Sequence, residues 1–94
     1  MKKLARRLRS AREEAGLSLR ELARRMDVSP AYVHRVEMGQ HLPSDDRLRS
    51  MCQELDVDFD MMMLRTGRVP VDVVEYIAKT PGVLQRLRRE MDAA

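Results

Sequence analysis

The chain is 94 residues long, 44% hydrophobic, 35% charged and only 3% aromatic, with a formal net charge of +3. That length holds one modest core, and the lack of alternating aromatic and β-branched runs excludes a β-sandwich. A lone Cys52 excludes an intrachain disulfide and fits a reducing cytosol, no apolar run approaches the ~18–20 residues of a membrane span, and Met1-Lys2-Lys3-Leu4 lacks the apolar core of a signal peptide.

The first predicted helix covers about residues 2–15, where Leu4, Leu8 and Ala11 or Ala15 recur at helical spacing and Gly16 suits a left-handed cap. Ser18 and Glu21 form an S-x-x-E capping box that opens a second helix, with Leu22, Ala23 and Met26 on its inner face. Ser29 caps a third helix, and Pro30 takes its first position, where a missing N–H costs nothing. Gly39 ends that helix, and the loop Gln40-His41-Leu42-Pro43 follows. Ser44, with Asp45 and Asp46, starts a fourth helix, because carboxylates complement the positive end of the helix dipole. Leu48, Met51, Cys52 and Leu55 form its apolar stripe. Asp58 caps a fifth helix carrying Phe59, Met62, Met63 and Leu64, which Gly67 closes. Pro70 opens a sixth, with Val73, Val74, Ile77 and Ala78 on one side. Thr80 and Pro81 stop it and start a seventh, with Val83, Leu84, Leu87 and Met91 inward. No internal repeat is visible, and Thr66 to Val69 is too short for a linker, so it reads as a bend.

The second and third helices have the layout of a DNA-reading helix-turn-helix, whose second helix enters the major groove. Ala23 supplies a small residue where the two helices meet, Asp27 tolerates a positive φ in the turn, and Val28 seals it. Val33 and Val36 point inward, which leaves Pro30, Ala31, Tyr32, His34 and Arg35 facing out or partly out. A helix of about nine residues is roughly 14 Å long, which suits end-on insertion into a groove ~12 Å wide. The charge agrees with this placement. Residues 1–40 carry 10 Lys/Arg against 5 Asp/Glu, or +5, whereas residues 41–94 carry 8 against 10, or −2. The basic half coincides with the reading head, as a polyanion-binding surface requires.

Arg12, Gly16, Leu17, Ser18, Glu21, Leu22, Ala23, Val28, Ser29, Val33, Glu37, Gly39, Pro43 and Ser44 stand in one register. On them, over about residues 4–65, the chain resembles the Cro/repressor or xenobiotic-response-element-like helix-turn-helix family. The resemblance implies an all-α fold. A compact five-helix repressor-like domain would occupy residues 1–66, and two further helices would form an extension over 67–94, packed on it or dimerising. It also implies a homodimer on double-stranded DNA, with Pro30, Ala31, His34 and Arg35 facing base edges. Arg35 suits direct readout, since its planar fork can hold guanine O6 and N7 together, and Ala31 suits a thymine methyl. Tyr32 would touch a phosphate or sugar, and Arg12 and Glu37 would form a buried ion pair holding the first helix against the third. Two positions depart from the family. Leu19 replaces a phosphate-binding Gln, which moves that contact to Ser18, Arg20 or the helix N-terminus, and Asp27 replaces the turn Gly. Pro30, lacking a donor, gives only shape or apolar contact.

Gln40 and His41, just after the third helix, are further expected phosphate neighbours, while Arg20, Arg24 and Arg25 either grip phosphates or form a solvated face. His34, His41 and Cys52 lack a zinc spacing, so no metal or cofactor is expected, and Cys52 reads as a buried small hydrophobe. No nucleophile–base pair or Gly-rich phosphate loop argues for an enzyme. The expected protein is a cytoplasmic transcriptional repressor reading a palindromic operator through the helix that starts at Ser29. The rival is a protein-interaction module, such as an antitoxin, that uses the C-terminal helices. The apolar stripe of residues 67–94 is covered by the same chain, by a second copy or by such a partner.

Overall fold

The computed structural model describes residues 2–94; Met1, the first residue of the expected N-terminal domain, lies outside them. The described residues form seven helices: α1 (Lys2–Glu14), α2 (Leu19–Met26), α3 (Pro30–Glu37), α4 (Asp45–Leu55), α5 (Phe59–Arg65), α6 (Val71–Lys79) and α7 (Val83–Ala93). The middle four start on side-chain caps. Ser18, Ser29, Ser44 and Asp58 stand in extended backbone and accept the N–H of the residue three further on, at 3.1–3.2 Å. Each such cap stabilises by about 1 kcal/mol. Only half of the expected box at α2 is made, because the Glu21 carboxylate turns to Arg24 and Arg25 on its own helix.

Met26-Asp27-Val28-Ser29 and Leu55-Asp56-Val57-Asp58 are the same turn built twice. In each, the first Asp closes a helix in the left-handed region, at φ 57° and 54°. The following Val donates its N–H to the carbonyl of Ala23 or Cys52 at 3.0 Å and packs against the core. The next residue caps the next helix. A left-handed residue costs roughly 1–2 kcal/mol for most side chains, and Asp is among the least penalised.

The core lies where α2 crosses α3 and α4, and where α1 closes over α3 and α5. Leu8, Leu22, Leu48 and Met51 are fully buried there, each worth about 1.5–3 kcal/mol of removed apolar surface. On α5, Met62 and Met63 take the inner positions, and Leu64, one residue further round the helix, is exposed.

The bend after α5 is pinned. The Thr66 hydroxyl lies 3.1 and 2.8 Å from the carbonyls of Met62 and Met63. The Arg68 guanidinium donates to Asp45 at the start of α4, at 2.8 Å. Beyond the bend the tight packing stops, and neither α6 nor α7 holds a buried residue. Of the side chains that spacing turns inward, Ile77 and Val83 are half-buried, whereas Val73, Val74, Leu84, Leu87 and Met91 are open.

Candidate nucleic-acid interface

The direction of α3 is set by its neighbours. Val33 and Val36 lie in the core, and Ser29 and Pro30 fix the first turn. At the far end, Arg12 Nε and Nη2 donate to both oxygens of Glu37, at 2.7 and 2.9 Å. Its Nη1 donates to the carbonyl of Leu17 at 2.8 Å. One planar fork thus joins α1, the turn before α2 and the end of α3, and a Lys could not reproduce that geometry. Side-chain exposure is only 12% for Arg12 and 4% for Glu37. The hydrogen bond to Glu37 raises the Arg12 pKa above its ordinary value, against the opposing effect of burial.

The opposite side of α3 is free. Pro30, Ala31, His34 and Arg35 are all exposed there, as positions i, i+1, i+4 and i+5 of a helix whose i+3 and i+6 are buried. Tyr32 sits between the two sides and is half-buried. Its ring meets His41 edge-on at 5.3 Å, and the Arg47 guanidinium lies 5.9 Å from its centroid. Burial raises the Tyr32 phenol above its usual pKa, while Arg47 and Arg35 pull it down; it is a neutral O–H donor at pH 7. The grouping of Tyr32, His41 and Arg47 is therefore a cationic, donor-bearing flank to α3. Arg47 was not among the expected site residues. Its signal was available, since it follows the Ser44 cap by three residues and so lies in the first turn of the helix that resumes after the α3 loop.

The other expected contacts are dispersed. Ser18 and Arg20 are exposed at the start of α2, where the Ser18 hydroxyl accepts the Glu21 N–H and keeps its own proton for donation. Leu19 packs against the core, so the family's amide position holds hydrocarbon. Arg24 is tied to Glu21, and Arg25 lies 3.8 Å from the same carboxylate. Gln40 is exposed, held by its backbone N–H on the Arg35 carbonyl at 2.9 Å. Cys52 is buried, and burial pushes its thiol up to about 11. A groove of about 530 Å³ between α1 and α5 is lined by residues such as Arg6, Arg7, Met61 and Arg65, and none of the expected site residues borders it. No helix among the described residues is long and apolar enough to cross a membrane.

Comparison with known proteins identifies the fold and its family. A family profile described as a helix-turn-helix domain matches residues 3–62. An uncharacterized HTH-type transcriptional regulator of Mycobacterium tuberculosis is 40% identical over 60 residues, which is 64% of this chain and 43% of that protein. The match thus spans less than half the length of that curated relative. A crystal structure of the clp gene regulator ClgR from Corynebacterium glutamicum superposes with a TM-score of 0.62 at 35% identity, covering 67% of this chain and 82% of the other. A second ClgR crystal structure covers 98% of this chain and 85% of its own, with a TM-score of 0.63 at 27% identity.

Proposed function

The chain belongs to the Cro/repressor-like helix-turn-helix family of transcriptional regulators, and from that premise we propose that it is a cytoplasmic, non-enzymatic repressor that reads an operator as a homodimer. The observation that carries this reading is the open row Pro30, Ala31, His34 and Arg35 on a helix locked from behind by Arg12 and Glu37. Arg35 and His34 supply donors to base edges, and Ala31 supplies a methyl contact. Tyr32, Gln40, His41 and Arg47 hold the backbone on one flank, and Ser18 and Arg20 hold it on the other. Two heads, one per half-site, follow from the small surface that a single short helix buries.

Selection of bound duplexes from a random pool tests this. Recovery of a palindrome with half-sites about ten base pairs apart supports it, and recovery of no preferred sequence overturns it. Affinity for the selected site should also fall steeply with salt, because phosphate contacts release counterions. A second reading, a protein-binding module with the head as scaffold, is favoured by the open stripe of α6 and α7. It has no need of the +5 charge on residues 1–40 and predicts no salt-dependent duplex binding.

A further inference from the structure

The groove between α1 and α5 lies apart from the duplex-reading residues, none of which borders it. Two helical stripes form its walls. On α1, Arg6, Ser10 and Glu14 fall four apart, with Arg7 and Ala11 beside them; from the cap of α5, Asp58, Met61, Met62 and Arg65 follow at i, i+3, i+4 and i+7. Its hydrocarbon runs from the core to the opening. Ala11 and Val57 are half-buried against the core, Met62 is buried and Met61 is 44% exposed. Such flexible thioether chains reshape around an apolar guest. Its charge is cationic. Arg6, Arg7 and Arg65 are exposed, and none of them forms an ion pair among the described residues. Elsewhere on the five-helix body, Arg9, Arg12 and Arg68 pair with carboxylates, and Arg49 lies over the Phe59 ring at 4.3 Å. Against the three guanidiniums the groove sets Glu14 and Asp58, and the Asp58 carboxylate already accepts the Met61 N–H at 3.1 Å.

We propose that this groove is a binding site for a small amphipathic anion, a molecule with a carboxylate or phosphate head and a short aliphatic tail. The head meets Arg6, Arg7 and Arg65, whose planar forks fit either oxyanion. The tail lies on Met61, Met62, Ala11 and Val57. Three observations select this occupant. The first is charge: like charges that converge on one concave site without counter-ions focus a positive potential, which an anion relieves. The second is composition: a purely inorganic ion leaves the methionines uncovered, and a neutral oil leaves the guanidiniums unmatched. The third is size. About 530 Å³ falls within the roughly 300–1,000 Å³ of small-molecule sites. The stretch from Arg6 to Glu14 is roughly 12 Å long, and a peptide helix about 10–12 Å across would need roughly 900 Å³ or more over that length. An acidic helix from another protein therefore overfills the groove. The inference stands on α1 and α5 and does not depend on what α3 reads.

The test follows backbone amide NMR signals of the full chain, free of DNA, during titration with octanoate and with octyl phosphate below their micelle-forming concentrations. Octanol supplies the tail alone and inorganic phosphate the head alone. The expected result is a saturable shift confined to residues 6–14 and 57–65 with at least one of the two octyl anions, and binding of octanol and of phosphate weaker by about tenfold or more. Which octyl anion binds tighter assigns the head. Arg7→Gln with Arg65→Gln alters exposed side chains that hold no ion pair, so it should leave the melt unchanged while weakening the octyl anion about tenfold or more. Met61→Glu, at a half-open position, should keep the fold and weaken it likewise. Arg9→Gln, off the groove, should change nothing. Absence of saturable shifts overturns the proposal, as does octanol bound as tightly as the anions or an affinity indifferent to the Arg7, Arg65 pair. An acidic amphipathic peptide that binds there while the octyl anions do not also overturns it. So does a pair variant that loses duplex affinity in a chain blind to the octyl anions, since those arginines then belong to the nucleic-acid backbone. A chain that takes up the anion yet ignores duplex DNA upholds the groove and sinks the operator reading, and one that selects a DNA sequence but takes up no anion does the reverse.

Discussion

Arg35 projects from the outer side of α3 with no ion pair among the described residues. Its outward phase was legible because Val33 and Val36 fix which side is inner. We expect Arg35→Ala to cost about 1–3 kcal/mol on the selected site and to relax preference at one base pair, as read from binding to singly substituted duplexes; a uniform loss on all sequences would reassign it to the backbone. Arg12 and Glu37 behave differently. Glu37→Ala leaves a nearly buried guanidinium unpaired and should cost about 3–5 kcal/mol in urea unfolding, whereas Arg12→Met with Glu37→Leu should cost less than either single change. Cys52 adds a pH signature. Folded, its thiol keeps its proton up to about 11, while the unfolded thiol releases it near 9.0. Stability is intact below pH 9 and falls as pH rises through that window, since only the folded chain still binds the proton. Wild-type chain should lose more stability than Cys52→Ala between pH 8 and 10.5, and equal losses would overturn this. Arg47 was half legible: the Ser44 cap puts it in the first turn of α4, but its contact with Tyr32 joins two helices through a fold that spacing alone does not specify.

The helices themselves were readable from their ends. Ser18, Ser29, Ser44 and Asp58 each announce a start through local chemistry that acts within four residues. What escaped was competition between local partners. Glu21 had a choice between the backbone at Ser18 and the arginines one turn on, and it took Arg24. The doubled Asp-Val turn was hidden because the two copies differ on either side. Asp27→Val should destabilise by roughly 1–2 kcal/mol, since a β-branched residue fits the left-handed corner badly, while Asp27→Gly should be neutral or mildly stabilising. Thermal melts of the two variants check this, and a Val variant as stable as wild type would contradict the role given to the corner.

For the whole molecule, the buried core draws on residues from Leu4 to Met63, and the pinned bend at Thr66 to Val69 separates it from α6 and α7. A chain ending at Gly67 should therefore keep a cooperative melt within a few degrees of the full protein, while binding the operator more weakly for want of a second head. Loss of the melt would show that α6 and α7 are part of the body. The apolar stripe of α6 and α7 was plain in the sequence; its cover was not, because a pattern of valines and leucines states that burial is needed without stating by whom. On the operator proposal, Leu19 has an effect that reaches the duplex. With oil instead of an amide at the mouth of α2, the proposed hold on that flank rests on Ser18 and Arg20 alone, against Tyr32, Gln40, His41 and Arg47 on the other. Erasing backbone charge with methylphosphonates beside Tyr32, His41 and Arg47 should weaken the complex more than the same edit at the start of α2. On that reading the grip is lopsided.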